Sequence, residues 1–255
     1  MKKNQLFNKI NRKDLKKAVL EEPFKRITIS FYKYFKVNAR QILRDDLYKE
    51  WNHLKIFGRV YIAIEGINAQ LSVPEYQWKI FLSTLNKRPE LKDISIKRAL
   101  QDGNSFYKLT IKVKKELVAY NLPQDSYNMA KIGKHLNASQ YNKALENPDT
   151  IIVDMRNYYE SEIGRFKRAI IPNVETSRDL LPEVKRILKG KKNKKVLLYC
   201  TGGIRCEKAS SYLIKNGFND VNQLQGGIIQ YAHELKEKGL ESKFIGKNFV
   251  FDERL

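Results

Sequence analysis

The spacing of hydrophobic and polar positions divides the chain into two stretches of different character. After a helical pattern at Arg12–Leu20, the first stretch alternates in a way that predicts the order β-α-β-β-α-β with one extra strand. The predicted strands are Ile27–Tyr32, Gly58–Ile64, Asn68–Val73, Ile94–Leu100 and Tyr107–Val113, and the predicted helices are Ala39–Leu54 and Pro74–Asn86. This order is typical of a ferredoxin-like (acylphosphatase-like) α+β sandwich.

From Thr150 onward the hydrophobic runs are continuous, which is typical of parallel strands covered on both faces. The runs predict strands at Thr150–Asp154, Val196–Tyr199 and Val221–Leu224, with helices at Ser177–Leu188 and Glu207–Lys215. We therefore predict a doubly wound α/β domain with a parallel sheet and a site beyond the carboxyl ends of its strands. The predicted division is a basic extension at 1–24, the α+β domain at 25–120, the α/β domain at 126–235 and a C-terminal segment at 236–255.

The most informative segment joins one of these strands to the helix that follows it. Cys200 lies directly after Val196–Tyr199, where backbone N–H groups and the positive end of the helix dipole stabilise an anion. We therefore predict that Cys200 is a nucleophilic thiolate with a pKa below the usual value of about 8.5. Glycine permits a tight turn around the sulfur and Arg205 adds a cation. The predicted loop backbone consists of Thr201, Gly202, Gly203, Ile204 and Cys206.

A few residues outside the immediate Cys200 turn are also candidates for a chemical role. Cys206 is near enough to act as a resolving thiol, or it packs as a small hydrophobic residue. Asp154 and Arg156 follow a predicted strand, so Asp154 caps a turn, orients Arg156 or holds the Cys200 loop. The three histidines, His53, His135 and His233, are far apart in predicted helical or pre-helical stretches, and we predict neither a cysteine–histidine dyad nor a metal site. No cofactor motif is evident.

The net charge of the chain indicates a class of binding partner. The chain has 49 Lys and Arg against 28 Asp and Glu, a formal net charge of +21 that favours nucleic acid, although a lysine-rich solvated surface has the same signature. The predicted phosphate contacts in the first domain are Arg26, Lys33, Lys36, Arg40 and Lys55. Two cysteines, no apolar run of membrane-spanning length and no signal-peptide core predict a cytoplasmic protein.

Several segments together resemble a known family. Cys200–Gly217, Asp154–Arg156 and Gln225–Ile228 resemble a rhodanese domain. Ile64–Asn68, Tyr199–Ser210 and Phe244–Arg254 narrow the resemblance to the rhodanese-like tRNA uridine hydroxylases, over residue 25 to the end. The resemblance implies oxygen-dependent conversion of the wobble uridine (position 34) in a tRNA anticodon loop to 5-hydroxyuridine, with molecular oxygen as cosubstrate. Cys200 stands at the family's persulfide-forming position.

The chain departs from the family pattern in two places. Arg165 stands where the family usually has a histidine after the glycine at 164. Many members also continue past Phe251–Arg254 into a cysteine-rich tail capable of binding zinc, whereas this sequence ends at Leu255.

Three functions remain open on sequence grounds. Cys200 and Arg205 are separated by four residues, one fewer than in cysteine phosphatases, so the loop suits the terminal sulfur of a persulfide better than a phosphoryl group. Sulfurtransferase chemistry is therefore the alternative to hydroxylation, and a non-catalytic RNA-binding protein is the second alternative. For hydroxylation, one hypothesis is that the Cys200 thiolate adds to C6 of uracil, so that C5 becomes nucleophilic and captures oxygen. The electron donor is not identified.

Overall fold

The computed structural model describes residues 6–8, 10–101 and 103–253, which divide into two compact units. The first unit contains the described residues up to Leu117 together with 251–253, and the second is Val118–Val250. Within these described residues, no helix is long and apolar enough to span a membrane.

The first unit is built on a five-stranded sheet. Its strands are β1 (Arg26–Tyr34), β2 (Phe57–Ala63), β3 (Gly66–Pro74), β4 (Lys97–Arg98) and β5 (Leu109–Val113), and its helices are α1 (Arg12–Leu20), α2 (Arg40–His53) and α3 (Trp78–Asn86). The strand order is β4-β1-β3-β2-β5, antiparallel except for the parallel pair of β2 and β5. The predicted α+β architecture is confirmed.

One face of this sheet carries the core. Ile29 and Phe31 of β1 point into a cluster with Trp51 of α2 and Phe81 of α3, all fully buried or nearly so. The Trp51 ring meets Phe31 and Phe81 edge-on, at centroid distances of 6.4 and 5.8 Å. The alternation that predicts β1 therefore reflects a strand with one face packed on helices.

The turn between β2 and β3 explains part of the Ile64–Asn68 motif. Gly66 has φ +140°, and a Cβ at this position would lie 2.0 Å from the Lys33 carbonyl oxygen. Only glycine therefore fits, because β1 passes directly beside the turn. The side chain of Glu65 accepts a hydrogen bond from the Leu117 backbone N–H at 2.7 Å, which ties the turn to the end of the unit.

Two predicted elements of the first unit need correction. The strand predicted at Ile94–Leu100 is reduced to Lys97–Arg98, which pairs only with the edge of β1. The helix predicted from Pro74 begins at Trp78, after a 3₁₀ turn at Glu75–Gln77, because Pro74 still has the extended backbone of β3.

The second unit is built on a four-stranded parallel sheet in the order β6-β10-β9-β7. Its strands are β6 (Lys134–Leu136), β7 (Ile151–Asp154), β9 (Lys195–Tyr199) and β10 (Asp220–Leu224), and β8 (Gly164–Phe166) pairs separately with β11 (Phe244–Gly246). The helices are α4 (Ala138–Glu146), α5 (Tyr158–Ile163), α6 (Ser177–Ile187), α7 (Ile204–Lys215) and α8 (Gly227–Lys238).

The strand β9 lies between β10 and β7 and is buried on both faces. Val196 and Leu198 belong to one hydrophobic cluster, and Leu197 and Tyr199 belong to the other. The continuous hydrophobic run is thus explained by helices on both sides, as the predicted α/β class requires. The strand delivers Cys200 to the carboxyl edge of the sheet.

Candidate active site

The Cys200 loop is organised around the sulfur atom. Cys200 is fully buried, and the Gly203 backbone N–H donates to its Sγ at 3.1 Å. Gly203 has φ +99° and is the N-cap of α7, whereas Gly202 stays outside the left-handed region. The helix predicted from Glu207 therefore begins earlier, at Ile204, because Gly203 turns the chain sharply enough to bring Arg205 and Cys206 into its first turn.

The surroundings of Cys200 favour its thiolate. Burial by itself raises the pKa of the thiol, but the Cys206 thiol, the Arg205 cation and the N–H groups of Cys206 and Gly203 outweigh it and lower the pKa to about 6. The pKa of Cys206 changes in the opposite direction. Burial and the nearby Cys200 sulfur raise it well above the usual value. The site therefore holds a thiolate beside a protonated thiol.

Arg205 is held by a carboxylate that the sequence analysis missed. Glu160 of α5 is fully buried and accepts hydrogen bonds from the Arg205 guanidinium at 2.6 and 2.9 Å. The Thr201 hydroxyl donates to Glu160 at 3.3 Å. Burial lowers the pKa of Arg205, but Glu160 outweighs it and raises the pKa, so that the guanidinium stays charged. A local signal for Glu160 existed, because Asn157 and Glu160 form a capping box at the start of α5.

Asp154 and Arg156 form a fully buried ion pair at the carboxyl end of β7. The Arg156 guanidinium donates to the Asp154 carboxylate at 2.7 Å and to the Gly164 carbonyl at 2.6 Å. Ser161 donates a further hydrogen bond to Asp154 at 2.8 Å. The geometry supports two of the three interpretations of Asp154. It caps a turn by accepting a hydrogen bond from the Arg156 backbone N–H at 3.0 Å, and it orients the Arg156 guanidinium, which in turn contacts the start of β8.

A second helix N-terminus holds the loop from behind. The N–H groups of Ile228 and Ile229 in α8 donate to the carbonyl oxygens of Cys200 and Thr201 at 3.0 and 3.2 Å. Gly227 has φ +69°, and a Cβ there would lie 2.6 Å from each of these carbonyl oxygens. The Gln225–Ile228 motif is thus explained by close backbone contact with the nucleophile loop. One helix N-terminus faces the sulfur and another faces the carbonyls.

Two other residues singled out in the sequence have local partners. Arg165 lies on β8 and donates to the Ser161 carbonyl at 3.2 Å. His135 lies on β6, just ahead of α4, which agrees with its predicted pre-helical position, and its Nε2 is 2.9 Å from a Glu207 carboxylate oxygen. The Glu207 hydrogen bond outweighs partial burial and raises the pKa of His135. Among the described residues, no group of three or more His, Cys, Asp or Glu is arranged to hold a metal ion.

The predicted phosphate contacts do not form one group. Arg26 is buried, with its guanidinium bound to the Glu22 carboxylate and the carbonyls of Lys55 and Ser72, so the prediction that it contacts phosphate is wrong. Lys55 is exposed but lies at the same end of the sheet, ahead of β2. Lys33, Lys36 and Arg40 lie at the opposite end, where β1 ends and α2 begins. The two ends are ~20 Å apart at the usual rise per strand residue.

Comparison with known proteins agrees with this architecture. Residues 26–117 match the UPF0176 acylphosphatase like domain, and residues 137–234 match the Rhodanese-like domain. A tRNA uridine(34) hydroxylase from Leptospira interrogans is 51% identical over all of this chain and 70% of its own length. The proteins of the same name from Hamiltonella defensa and Photorhabdus laumondii are 48% and 47% identical over 98% of this chain and 71% and 72% of theirs. The chain therefore belongs to the tRNA uridine(34) hydroxylase family.

Proposed function

We propose that this protein hydroxylates the wobble uridine of tRNA, with Cys200 as the nucleophile and molecular oxygen as cosubstrate. The observation that carries the proposal is the Cys200 thiolate, whose pKa of about 6 keeps it charged at neutral pH, in a chain whose relatives bear that activity in their names. A thiolate is the form that adds to C6 of a uracil ring. Addition makes C5 electron-rich, and C5 is the carbon that acquires the hydroxyl group.

Each neighbour of Cys200 contributes to this step. The N–H groups of Gly203 and Cys206 stabilise the thiolate before addition and again when it leaves C6. Arg205, fixed by Glu160, keeps a positive charge beside the loop as the uracil ring takes up electrons. The α8 N–H groups hold the Cys200 and Thr201 carbonyls, so the loop keeps its shape during the reaction.

The first unit is proposed to position tRNA. The formal net charge of +21 attracts the phosphate backbone, and Lys33, Lys36 and Arg40 give one end of the sheet a basic surface. An anticodon loop presents unpaired bases, so the wobble nucleotide is turned out at a lower cost than a base in a duplex. Because tRNA is the substrate, we expect the protein to act in the cytoplasm.

The test is mass analysis of tRNA nucleosides from cells with and without the gene. Hydroxylation predicts that deletion removes a nucleoside one oxygen atom heavier than uridine, and that wild-type protein but not Cys200→Ser restores it. If the protein is instead a sulfurtransferase, which the same loop suits, deletion of the gene should remove a nucleoside that carries sulfur in place of oxygen. An unchanged nucleoside profile would contradict both enzymatic functions and favour the non-catalytic alternative.

A further inference from the structure

The hydroxylation proposed above leaves two electrons unaccounted for. Reduction of one O₂ to the level of water takes four electrons, and conversion of the uridine C5–H bond to C5–OH supplies two. The remaining two, with two protons, must come from a donor. The structure holds a candidate two-electron donor beside the nucleophile, because both cysteines of the chain are free thiols buried in the same hydrophobic cluster.

The fold of the loop places the two cysteines close to each other. Cys206 lies in the first turn of α7, and its N–H donates to the carbonyl of Gly203, the residue whose own N–H binds the Cys200 sulfur. Both side chains are fully buried in the same hydrophobic cluster. The two side chains also influence each other, because Cys206 contributes to the lowered pKa of Cys200 and Cys200 contributes to the raised pKa of Cys206.

We propose that Cys206 is a catalytic redox residue, and that the Cys200–Cys206 pair supplies the two electrons of hydroxylation and ends each turnover as a disulfide. This inference rests on the proposed function. A small-molecule or protein dithiol then reduces the disulfide by thiol exchange and starts the next turnover. The immediate electron donor is therefore the cysteine pair of the chain itself. The external reductant is a thiol that regenerates the pair.

The steps balance in atoms and electrons. The Cys200 sulfur bonds to C6, and C5 bonds to O₂ and a proton is added, giving a C5 hydroperoxide. The Cys206 sulfur attacks the terminal oxygen, the O–O bond breaks, and C5–OH and a Cys206 sulfenic acid remain. Loss of the C5 proton expels Cys200 from C6 and releases 5-hydroxyuridine. Cys200 then displaces water from the sulfenic acid, so uridine, O₂ and two thiols become 5-hydroxyuridine, one disulfide and one water.

The distribution of charge in the pair suits this order of events. Cys200 is the thiolate that must attack first, and Cys206, whose pKa is raised, supplies a protonated thiol in the same cluster. Once Cys200 is bonded to carbon, its negative charge is gone and no longer opposes ionisation of Cys206. Burial still raises the pKa of Cys206 at that point, but one of the contributions that oppose its ionisation has been removed, so the second thiol becomes more reactive once the first has bound substrate.

The test is a donor-free single turnover. Reduced full-length protein, freed of reductant under nitrogen, is mixed with an unmodified tRNA transcript containing uridine at position 34, and air is admitted. We expect one 5-hydroxyuridine per chain, loss of both free thiols and a Cys200–Cys206 crosslinked peptide two hydrogens lighter than the reduced pair. Dithiothreitol should restart product formation. The nitrogen-treated sample, which should keep both thiols and form no product, is the control.

Variants and outcomes separate this inference from the function itself. Cys206→Ser should make no product without a donor but should regain product with added glutathione, which a merely structural cysteine would not show. Wild-type protein that forms 5-hydroxyuridine while keeping both thiols, or only with a donor that is not a thiol, would overturn the inference and leave the function standing. Absence of 5-hydroxyuridine with every donor and with cell extract would overturn the function and the inference with it.

Discussion

The Arg205 guanidinium and the Glu160 carboxylate form a two-pronged ion pair, with N–O distances of 2.6 and 2.9 Å, although the residues are 45 positions apart. The pair joins α5 to the nucleophile loop and leaves only 13% of the Arg205 side chain and none of Glu160 exposed. Burial makes each charge dependent on the other.

Glu160→Gln should therefore destabilise the protein strongly. The variant keeps the shape of the side chain but leaves the Arg205 charge buried without its counterion, a change that costs about 3–5 kcal/mol in comparable buried pairs. Urea unfolding measures the loss. The matched control is Glu183→Gln, which removes the exposed pair of Glu183 and Arg186 on α6 and should leave the unfolding midpoint unchanged. Equal midpoints for the two variants would show that the Glu160 pair does not hold the loop.

The pKa of Cys200 sets the pH dependence. Because the folded-state pKa of about 6 lies below that of an unfolded cysteine, unfolded chains bind more protons between these values, and stability from this group rises with pH from about 6 to about 9. This contribution is complete above the unfolded pKa and is lost as the pH falls through 6. The rate of hydroxylation should rise in the same way as the pH increases through about 6.

Ultraviolet absorbance of the thiolate provides the direct titration. Wild-type protein should titrate near pH 6, and Cys200→Ser should lose that transition, because the pKa of Cys206 is raised well above the usual value. A wild-type midpoint at the ordinary thiol pKa would contradict the electrostatic account of the loop.

Gly227→Ala should reduce activity more than it reduces stability. A methyl group at this position meets the Cys200 and Thr201 carbonyls at 2.6 Å, and it forces the loop away from α8. Gly239→Ala is the control, since Gly239 has a similar φ of +62° at the other end of α8 but has no atom near its added Cβ. Both variants place an L-residue in the left-handed region, which costs about 1–2 kcal/mol, and only Gly227→Ala should lose hydroxylation. Equal activities would mean that the contact does not position the nucleophile.

Binding of tRNA should depend on one end of the first sheet. Lys36→Gln removes an exposed charge where Lys33 and Arg40 also lie, and it should weaken binding and reduce the slope of log affinity against log salt by about one. Lys55→Gln removes an exposed charge at the opposite end and should change neither. Fluorescence anisotropy with labelled tRNA at several salt concentrations measures both quantities. A larger effect of Lys55→Gln would place the RNA at the other end.

Local patterns predicted most of the scaffold, and long-range contacts account for what they missed. The strand before Cys200 was predictable because Val196–Leu198 is hydrophobic on both faces, and α1 was predicted with its observed bounds. The start of α7 was not, because it depends on the φ of Gly203. The burial of Arg26 and the pairing of Arg205 with Glu160 depend on residues that the fold brings together, and periodicity carries no information about them.

The most direct test of the account is hydroxylation of tRNA by purified protein under ¹⁸O₂. Wild-type protein with a thiol reductant should convert the uridine at position 34 to a nucleoside heavier by one oxygen-18 atom, and Cys200→Ser should form none. Undiminished product from Cys200→Ser, or product that carries ordinary oxygen from water, would contradict the claim that the Cys200 thiolate directs molecular oxygen to the uracil ring.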